Sequence, residues 1–405
     1  VIKIDFQQQA PNDIMTRHPI HDRQSVDFKT GRIVVLSVCH FIHDVYSSFL
    51  SPLLPLLIEK LSMSLTQAGF LSSVMQLPAL VNPYIGILAD RISVRYFIIL
   101  APALTAVPMS LIGLAPGYGI LLILLFITGI SVSLFHVPSP VMISRLAGSK
   151  KGRGMSFYMT GGELARAVGP LIAVGMVSVY GLEGFYPIMI FGLAASVWLY
   201  FNFREVPITV DNDRKISVLQ TWRELRFILM PLTAILLARG FMHASITAFL
   251  PTFIKLETGD LWLAGVALTL FEISGVGGVF AAGSLSDRFG RRRILFISLL
   301  GAPVSLLVFA WIGGWFRFLT LVVIGFTLLS TTPVMLALVQ ERAKSSPAAA
   351  NGFFMMASFM ARSAIVVVVG FIGDLIGLRA TYFVSAIMGL GAIPFIFKLP
   401  GKRRI

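Results

Sequence analysis

Apolar runs about twenty residues long alternate with short polar breaks along almost the whole chain. Twelve can be read, near 32–58, 65–89, 96–114, 118–145, 155–180 and 184–203, and, after a longer polar stretch, near 226–255, 261–286, 293–312, 316–340, 348–375 and 380–398. A hydrocarbon core about 30 Å thick takes about 20 apolar residues per helical crossing. Lipid offers no partner for backbone N–H and C=O groups, so each crossing must satisfy its own by coiling into a helix. The pattern predicts an all-α polytopic membrane protein of twelve transmembrane helices, here called spans 1 to 12.

Composition sharpens this reading. The 405 residues are 56% hydrophobic and 13% charged, with a mean hydropathy of +0.84, whereas soluble domains carry about a quarter of their residues charged. The net charge of +14 would suggest nucleic acid only if it clustered on a soluble module. Instead it is distributed by side: with the N-terminus placed inside, 26 of the 33 Lys and Arg fall in alternate, cytoplasmic segments. Lys60, Lys255, Arg317 and Arg379 fall in the outer loops, and three arginines fall within spans. The positive-inside rule then predicts both termini in the cytoplasm. The polar segment 204–225 reads as a cytoplasmic central linker between a six-helix half at 32–203 and another at 226–398, with cytoplasmic tails at 1–31 and 399–405. Residues 1–31 show no cleavable signal pattern, and the single cysteine, Cys39, has no partner for an intrachain disulfide.

The halves repeat each other. Phe41-Ile42-His43-Asp44 through Phe49-Leu50 in span 1 returns 200 residues later as Phe241-Met242-His243-Ala244 through Phe249-Leu250 in span 7. Gly86 to Arg91 after span 2 returns 197 residues later as Gly283 to Arg288 after span 8. A Gly-x-x-x-Asp-Arg-x-Gly-Arg-Arg stretch in these two turns resembles the signature of the major facilitator superfamily. The second copy, Gly283 to Arg292, matches throughout, while the first has Ser93 and Val94 where the family has Gly and Arg. The resemblance implies two pseudo-symmetric six-helix halves rocking about a central cavity. It also implies a conformational gate of Gly86, Asp90, Arg91, Gly283, Asp287, Arg288, Gly290 and Arg291, whose glycines allow close helix approach and whose arginines reach carboxylates or carbonyls of the other half. Three further segments are similar to the fosmidomycin-resistance-type branch of bacterial exporters: His40 to Asp44, Ser133 to His136, and Gly161-Gly162 with Gly169-Pro170-Leu171. The last also resembles the Gly-Pro motif of drug antiporters, in which the proline bends the helix. This chain departs from that branch at His136-Val137-Pro138, where the branch has His-Pro-Glu, and at Glu163 and Arg166, where it has small or amide residues.

Ionisable residues inside spans cost about 2.5–3.5 kcal/mol each on insertion scales and so call for a reason. They are Asp44, Glu163, Glu272, Arg166, Arg239 and Arg362, with His40, His43, His136 and His243. Asp44 is expected near mid-depth, able to take a proton from one side and release it on the other, with His40 one turn earlier on the same face. A fixed polar staple is the structural alternative. Glu163 and Arg166, spaced i, i+3, can pair, with Glu163 a further proton-coupling candidate and Arg166 lining the cavity. Guanidinium groups suit phosphate, phosphonate or carboxylate. Arg166, Arg362, Arg239, His43, His136, His243 and Glu272 are therefore the candidate substrate-binding set, with an Arg239–Glu272 salt bridge as the alternative for Arg239. A metal reading of His40, His43, Asp44 and His136 is held back because His40 and His43 lie three apart with no second local pair. Phe41, Tyr46, Tyr158 and Phe271 could line a drug cavity, whereas Gly275 to Gly278 reads as packing notches and not a nucleotide loop.

The expectation is a proton-coupled antiporter that exports a small amphipathic molecule, anionic or zwitterionic, by alternating access. Its partners would be the small-molecule substrate, protons and the lipid bilayer, with no nucleic acid, no cofactor and no resident metal, and it would act as a monomer. Proton-coupled uptake of an organic anion and lysolipid movement between leaflets are the alternatives. A metal transporter or a non-transporting membrane sensor is further off. No nucleophile, base and orienting group can be assembled for an enzyme.

Overall fold

A computed structural model of the chain describes residues 28–82, 84–85, 95–148, 150–205, 218–342 and 347–399. Ten helical stretches among them are long and apolar enough to cross a membrane, and Leu65–Val81 is a shorter apolar helix. One of the ten, Gly352–Ile396, is 45 residues long. At 1.5 Å per residue that is about twice the span a bilayer needs. It turns at Gly377 (φ 79°, ψ 158°), a left-handed backbone that glycine adopts without a Cβ clash, and so supplies spans 11 and 12. The helices Leu261–Phe289, Arg291–Trp311 and Phe316–Arg342 form spans 8, 9 and 10. Helix Val218–Thr258 forms span 7 and begins inside the stretch read from sequence as linker. The other linker residues, 206–217, lie outside the described residues.

Two apolar runs that read as continuous are broken. Span 1 consists of Thr30–Ser47 and Leu50–Leu61. Between them the Ser47 hydroxyl donates to the Asp44 carbonyl at 3.0 Å and the Ser48 hydroxyl to that of Val45 at 2.7 Å, hydroxyl back-bonding of the kind that bends helices. Span 4 consists of Tyr118–His136 and Ser139–Leu146; Pro138 has no N–H to extend the first ladder. Both breaks fall beside ionisable residues, Asp44 and His136.

Large apolar side chains such as Ile123, Phe191, Phe201, Met230, Phe280 and Phe371 face outward, as a lipid-facing surface requires. Trp311, Trp315 and Phe316 are exposed where spans 9 and 10 meet, the aromatic placement found at membrane interfaces. Inside, spans 8 and 10 lie close at Gly275, Gly278 and Gly325: a side chain at Gly275 would meet Leu329, and one at Gly325 the Phe271 backbone.

The two halves meet toward the face opposite the chain ends, the far face. There Asp374, late in span 11, accepts the backbone N–H groups of Leu65 at 2.7 Å and Thr66 at 2.8 Å, and the Thr66 hydroxyl at 2.5 Å. A carboxylate of one half thus occupies the N-terminus of span 2 in the other, where a helix leaves N–H groups unpaired and carries partial positive charge. Lys255 and Glu59 pair across the same seam at 2.5 Å, and the Ser73 and Ser363 hydroxyls meet, buried, at 2.5 Å. Gly69 lies against the Val366 carbonyl and Gly370 against the Leu65 backbone. The structure is therefore closed at the far face.

Candidate functional site

Asp44 stands three residues before the break in span 1, its carboxyl 8% exposed, with three imidazoles around it. His43 Nδ1 lies 2.8 Å and His136 Nε2 3.0 Å from its Oδ1, and His40 Nε2 lies 3.2 Å from its Oδ2. The i−4 spacing expected of His40 is thus realised as a contact, and the Pro138 break leaves His136 at a helix end turned toward span 1. His40 stacks on Tyr158 of span 5 with ring centroids 3.9 Å apart, and its Nδ1 donates to the Tyr158 carbonyl at 2.8 Å. His43 stacks on Phe135 at 4.4 Å, and its Nε2 meets the Thr105 hydroxyl of span 3 at 2.9 Å. Gly162 of span 5 makes room for the cluster, since a Cβ there would come within 2.8 Å of His40 Nε2 and 3.1 Å of Asp44 Oδ2. The cluster is built wholly within the first half.

A second group lines the surface between the halves. Glu163 accepts from the Arg166 guanidinium, whose side chain is 48% exposed. Glu272 of span 8, His243 of span 7 and Arg362 of span 11 are half-buried. The charges of Arg166, Glu272 and Arg362 act on one another across the seam, and those of Arg166, Arg239 and Arg362 all act on His243. Arg239 is buried and does not bridge to Glu272. Its guanidinium donates to the Leu328 carbonyl at 3.2 Å and reaches Thr332 Oγ1 at 3.5 Å, both on span 10, and its Nε has no partner. His43 is fully buried with both ring nitrogens engaged, so it is a partner of Asp44 and not a group open to a ligand here.

Of the gate residues, Gly86, Asp90 and Arg91 lie outside the described residues. In the second copy Arg291 pairs with Asp287 at 2.8 Å and with Glu341 at 2.7 Å, both inside its own half. Arg288 lies over the Phe289 ring. Gly290 caps span 8 at φ 94°, which explains a glycine there, whereas among the described residues a Cβ at Gly283 would meet nothing within 4 Å. Tyr46, Tyr158 and Phe271 are buried and do not line a cavity; Phe41 is half-buried.

The imidazole nitrogens of His40 and His136 and a carboxylate oxygen of Asp44 lie within 4.8 Å of one another, close enough for one small cation to bridge. The sequence groups these residues with His43 but offers no second local pair to complete a site; His136, arriving from span 4, supplies the missing neighbour. Local spacing missed Thr105, Ser131 and Asp374, which read as ordinary span residues until helices far apart in sequence are brought together.

Three comparisons place this architecture. The model of the Major Facilitator Superfamily matches residues 36–365 and 263–404. The fosmidomycin resistance protein of Escherichia coli (strain K12) is 25% identical over 382 residues, 92% of this chain and 93% of that protein. The multidrug resistance protein MdtG of Yersinia enterocolitica is 26% identical over 302 residues, 70% of this chain and 72% of that protein. Among solved structures, a bacterial homolog to the human lysosomal transporter Spinster, in an inward-facing and occupied conformation, superposes with a TM-score of 0.77 at 15% identity, covering 91% of this chain and 96% of that one. With twelve spans in two halves, a charged seam between them and a family match along most of its length, this chain belongs to the Major Facilitator Superfamily and is a membrane transporter.

Proposed function

We propose that the chain is a proton-coupled antiporter that exports an amphipathic anion or zwitterion. The observation that carries the reading is the separation of two charged sites: a carboxyl enclosed by three imidazoles inside one half, and a partly exposed Arg166–Glu163–Glu272–Arg362 group on the seam. A carboxyl and imidazoles in contact form a group that can gain and lose a proton. Guanidinium groups from both halves, with a seam between them, suit a ligand bearing phosphonate or carboxylate. His136, with a side chain 30% exposed, touches Asp44 and is the route by which the two sites would communicate. Closure at the face opposite the chain ends agrees with placing those ends in the cytoplasm, as the positive-inside count expects. The drug-resistance relatives support efflux. Uptake of an organic anion uses the same chemistry with the proton gradient acting in the other sense.

The test is a proteoliposome assay with an imposed pH gradient and a panel of phosphonates, carboxylates and cationic drugs. Export of an anionic substrate driven by the gradient is expected, with coupled proton flux lost in Asp44→Asn. Arg166→Ala and Arg362→Ala are each expected to raise KM for the anion about tenfold or more, as loss of a charge-assisted contact of about 1.5–3 kcal/mol implies. Proton flux unchanged in Asp44→Asn would refute the coupling role, and an intact KM in both arginine variants would refute the anion site.

A further inference from the structure

Hydrogen-bond direction in the buried chain behind Asp44 determines where a proton sits. The Ala101 carbonyl can only accept, so the Ser131 hydroxyl, 2.7 Å away, gives it its one hydrogen. The Ser131 oxygen then accepts from the Thr105 hydroxyl at 2.8 Å, which uses the one hydrogen Thr105 has. The Thr105 oxygen is left as an acceptor toward His43 Nε2 at 2.9 Å, so His43 carries its hydrogen on Nε2. A neutral imidazole in that tautomer has a bare lone pair on Nδ1, and this atom lies 2.8 Å from Asp44 Oδ1. A lone pair facing an ionised carboxylate at that distance is repulsive. The contact requires one more hydrogen, on Nδ1 as imidazolium against carboxylate or on Oδ1 as a carboxylic acid donating to neutral imidazole. Both forms hold the same number of protons, one more than neutral His43 beside ionised Asp44. His43, Thr105 and Ser131 are fully buried, so each can be held to a single partner arrangement.

We propose that Asp44 and His43 bind the coupling proton jointly in the far-face-closed conformation. Thr105 and Ser131 are positioning residues that hold His43 in the tautomer making that proton obligatory. This deepens the proton-coupling reading above and rests on it. The other groups facing the pair divide: His40 favours the extra proton, whereas His136 and Arg166 favour the ionised carboxylate and so help the proton leave. His40 spends its Nδ1 hydrogen on the Tyr158 carbonyl, so its Nε2 also meets the carboxylate bare unless protonated. His136 reaches Oδ1 from span 4 and can donate from Nε2 in its neutral form. From span 5, Tyr158 stacks on His40 and the positive charge of Arg166 is felt at Asp44. When the proton leaves, His43 and Asp44 repel. His43 is anchored to Thr105, so the carboxylate is the partner that must turn, toward His136 and the seam.

Thr105→Val removes the acceptor, and His43 is then able to carry its hydrogen on Nδ1 and donate it to ionised Asp44, with no extra proton needed. Thr105→Ser keeps the acceptor. The experiment uses the full chain in nanodiscs with 15N-labelled histidine, His43 assigned by His43→Gln, and an infrared pH titration of the Asp44 carboxyl band assigned by Asp44→Asn. The wild-type protein is expected to show His43 with hydrogen on Nε2. Thr105→Val should move the hydrogen to Nδ1 and lower the proton affinity of the pair about tenfold, moving the titration midpoint about one unit to lower pH. Thr105→Ser should restore both. A Thr105→Val protein that keeps the wild-type tautomer and midpoint overturns the proposal, as does a folded Thr105→Ser protein that fails to restore them. These spectra do not depend on transport. If they behave as expected while wild-type proteoliposomes show no gradient-driven flux, the coupling reading fails and the shared proton stands.

Discussion

Gly162 shows how one missing side chain supports the cluster around Asp44. Its neighbours on the far side of the contact are pinned, His40 by stacking and by the Tyr158 carbonyl, so neither that ring nor the carboxyl can shift cheaply to admit a methyl group. Gly162→Ala is expected to cost about 1–3 kcal/mol, the usual penalty for overpacking, and to reduce proton-coupled flux. Gly283→Ala, with no described residue within 4 Å of its Cβ, should stay within about 0.5 kcal/mol of the parent. Thermal unfolding of the two purified proteins, with flux measured alongside, separates these outcomes; equal melting temperatures would refute the packing argument. At this scale His40 and Asp44 were readable from their i, i+4 spacing on an apolar face. Arg239 was not, because nothing local reveals that its guanidinium ends on the Leu328 carbonyl of span 10 and not on Glu272.

At the scale of elements, the breaks in spans 1 and 4 matter more than their lengths. Each lets a helix end present a polar side chain, Asp44 or His136, where a continuous helix would carry it past. The serine pair and Pro138 that cause the breaks stand in the sequence, yet hydropathy alone runs straight through them. The seam at the far face is likewise a matter of helix ends. Asp374 caps span 2 across the two halves, a device invisible along the chain because its partners are 308 and 309 residues away. The carboxylate is exposed and screened by solvent, so it contributes about 1 kcal/mol, a change of about fivefold in the ratio of closed to open protein. Asp374→Ala is accordingly expected to open the far face about that much, read as distance distributions between spin labels placed on spans 2 and 11. Unchanged distributions would show that the cap does not hold the closed state.

Over the whole molecule, the halves touch along a line of small residues and hydroxyls, Gly69, Ser73, Ser363 and Gly370 among them, that lets two helices meet closely without interlocking large side chains. Such a seam can separate and re-form, as rocking of the halves requires. The hydroxyls of Ser73 and Ser363, buried and 2.5 Å apart, give this a direct test. The pair Ser73→Cys and Ser363→Cys is expected to form a disulfide on oxidation, lock the far face shut and abolish transport, with activity restored by reduction. The native thiol, Cys39, is buried in span 1 and does not compete. Transport that continues in the fully oxidised double variant would exclude separation of the halves at this seam.

What the chain by itself determined was everything that follows from transfer between water and lipid: helices as the spanning elements, their number, the duplication, and a short set of ionisable residues that remain in the spans. Apolar burial depends on composition within a window of about twenty residues, and such a window is local. Which of those residues meet was decided only by tertiary structure. His136 reaches Asp44 from 92 residues away, and Thr105 meets His43 from 62. Hydrogen bonds act over about 3 Å and depend on direction, so only the packed helices determine which donor faces which acceptor, and with that where the proton is held.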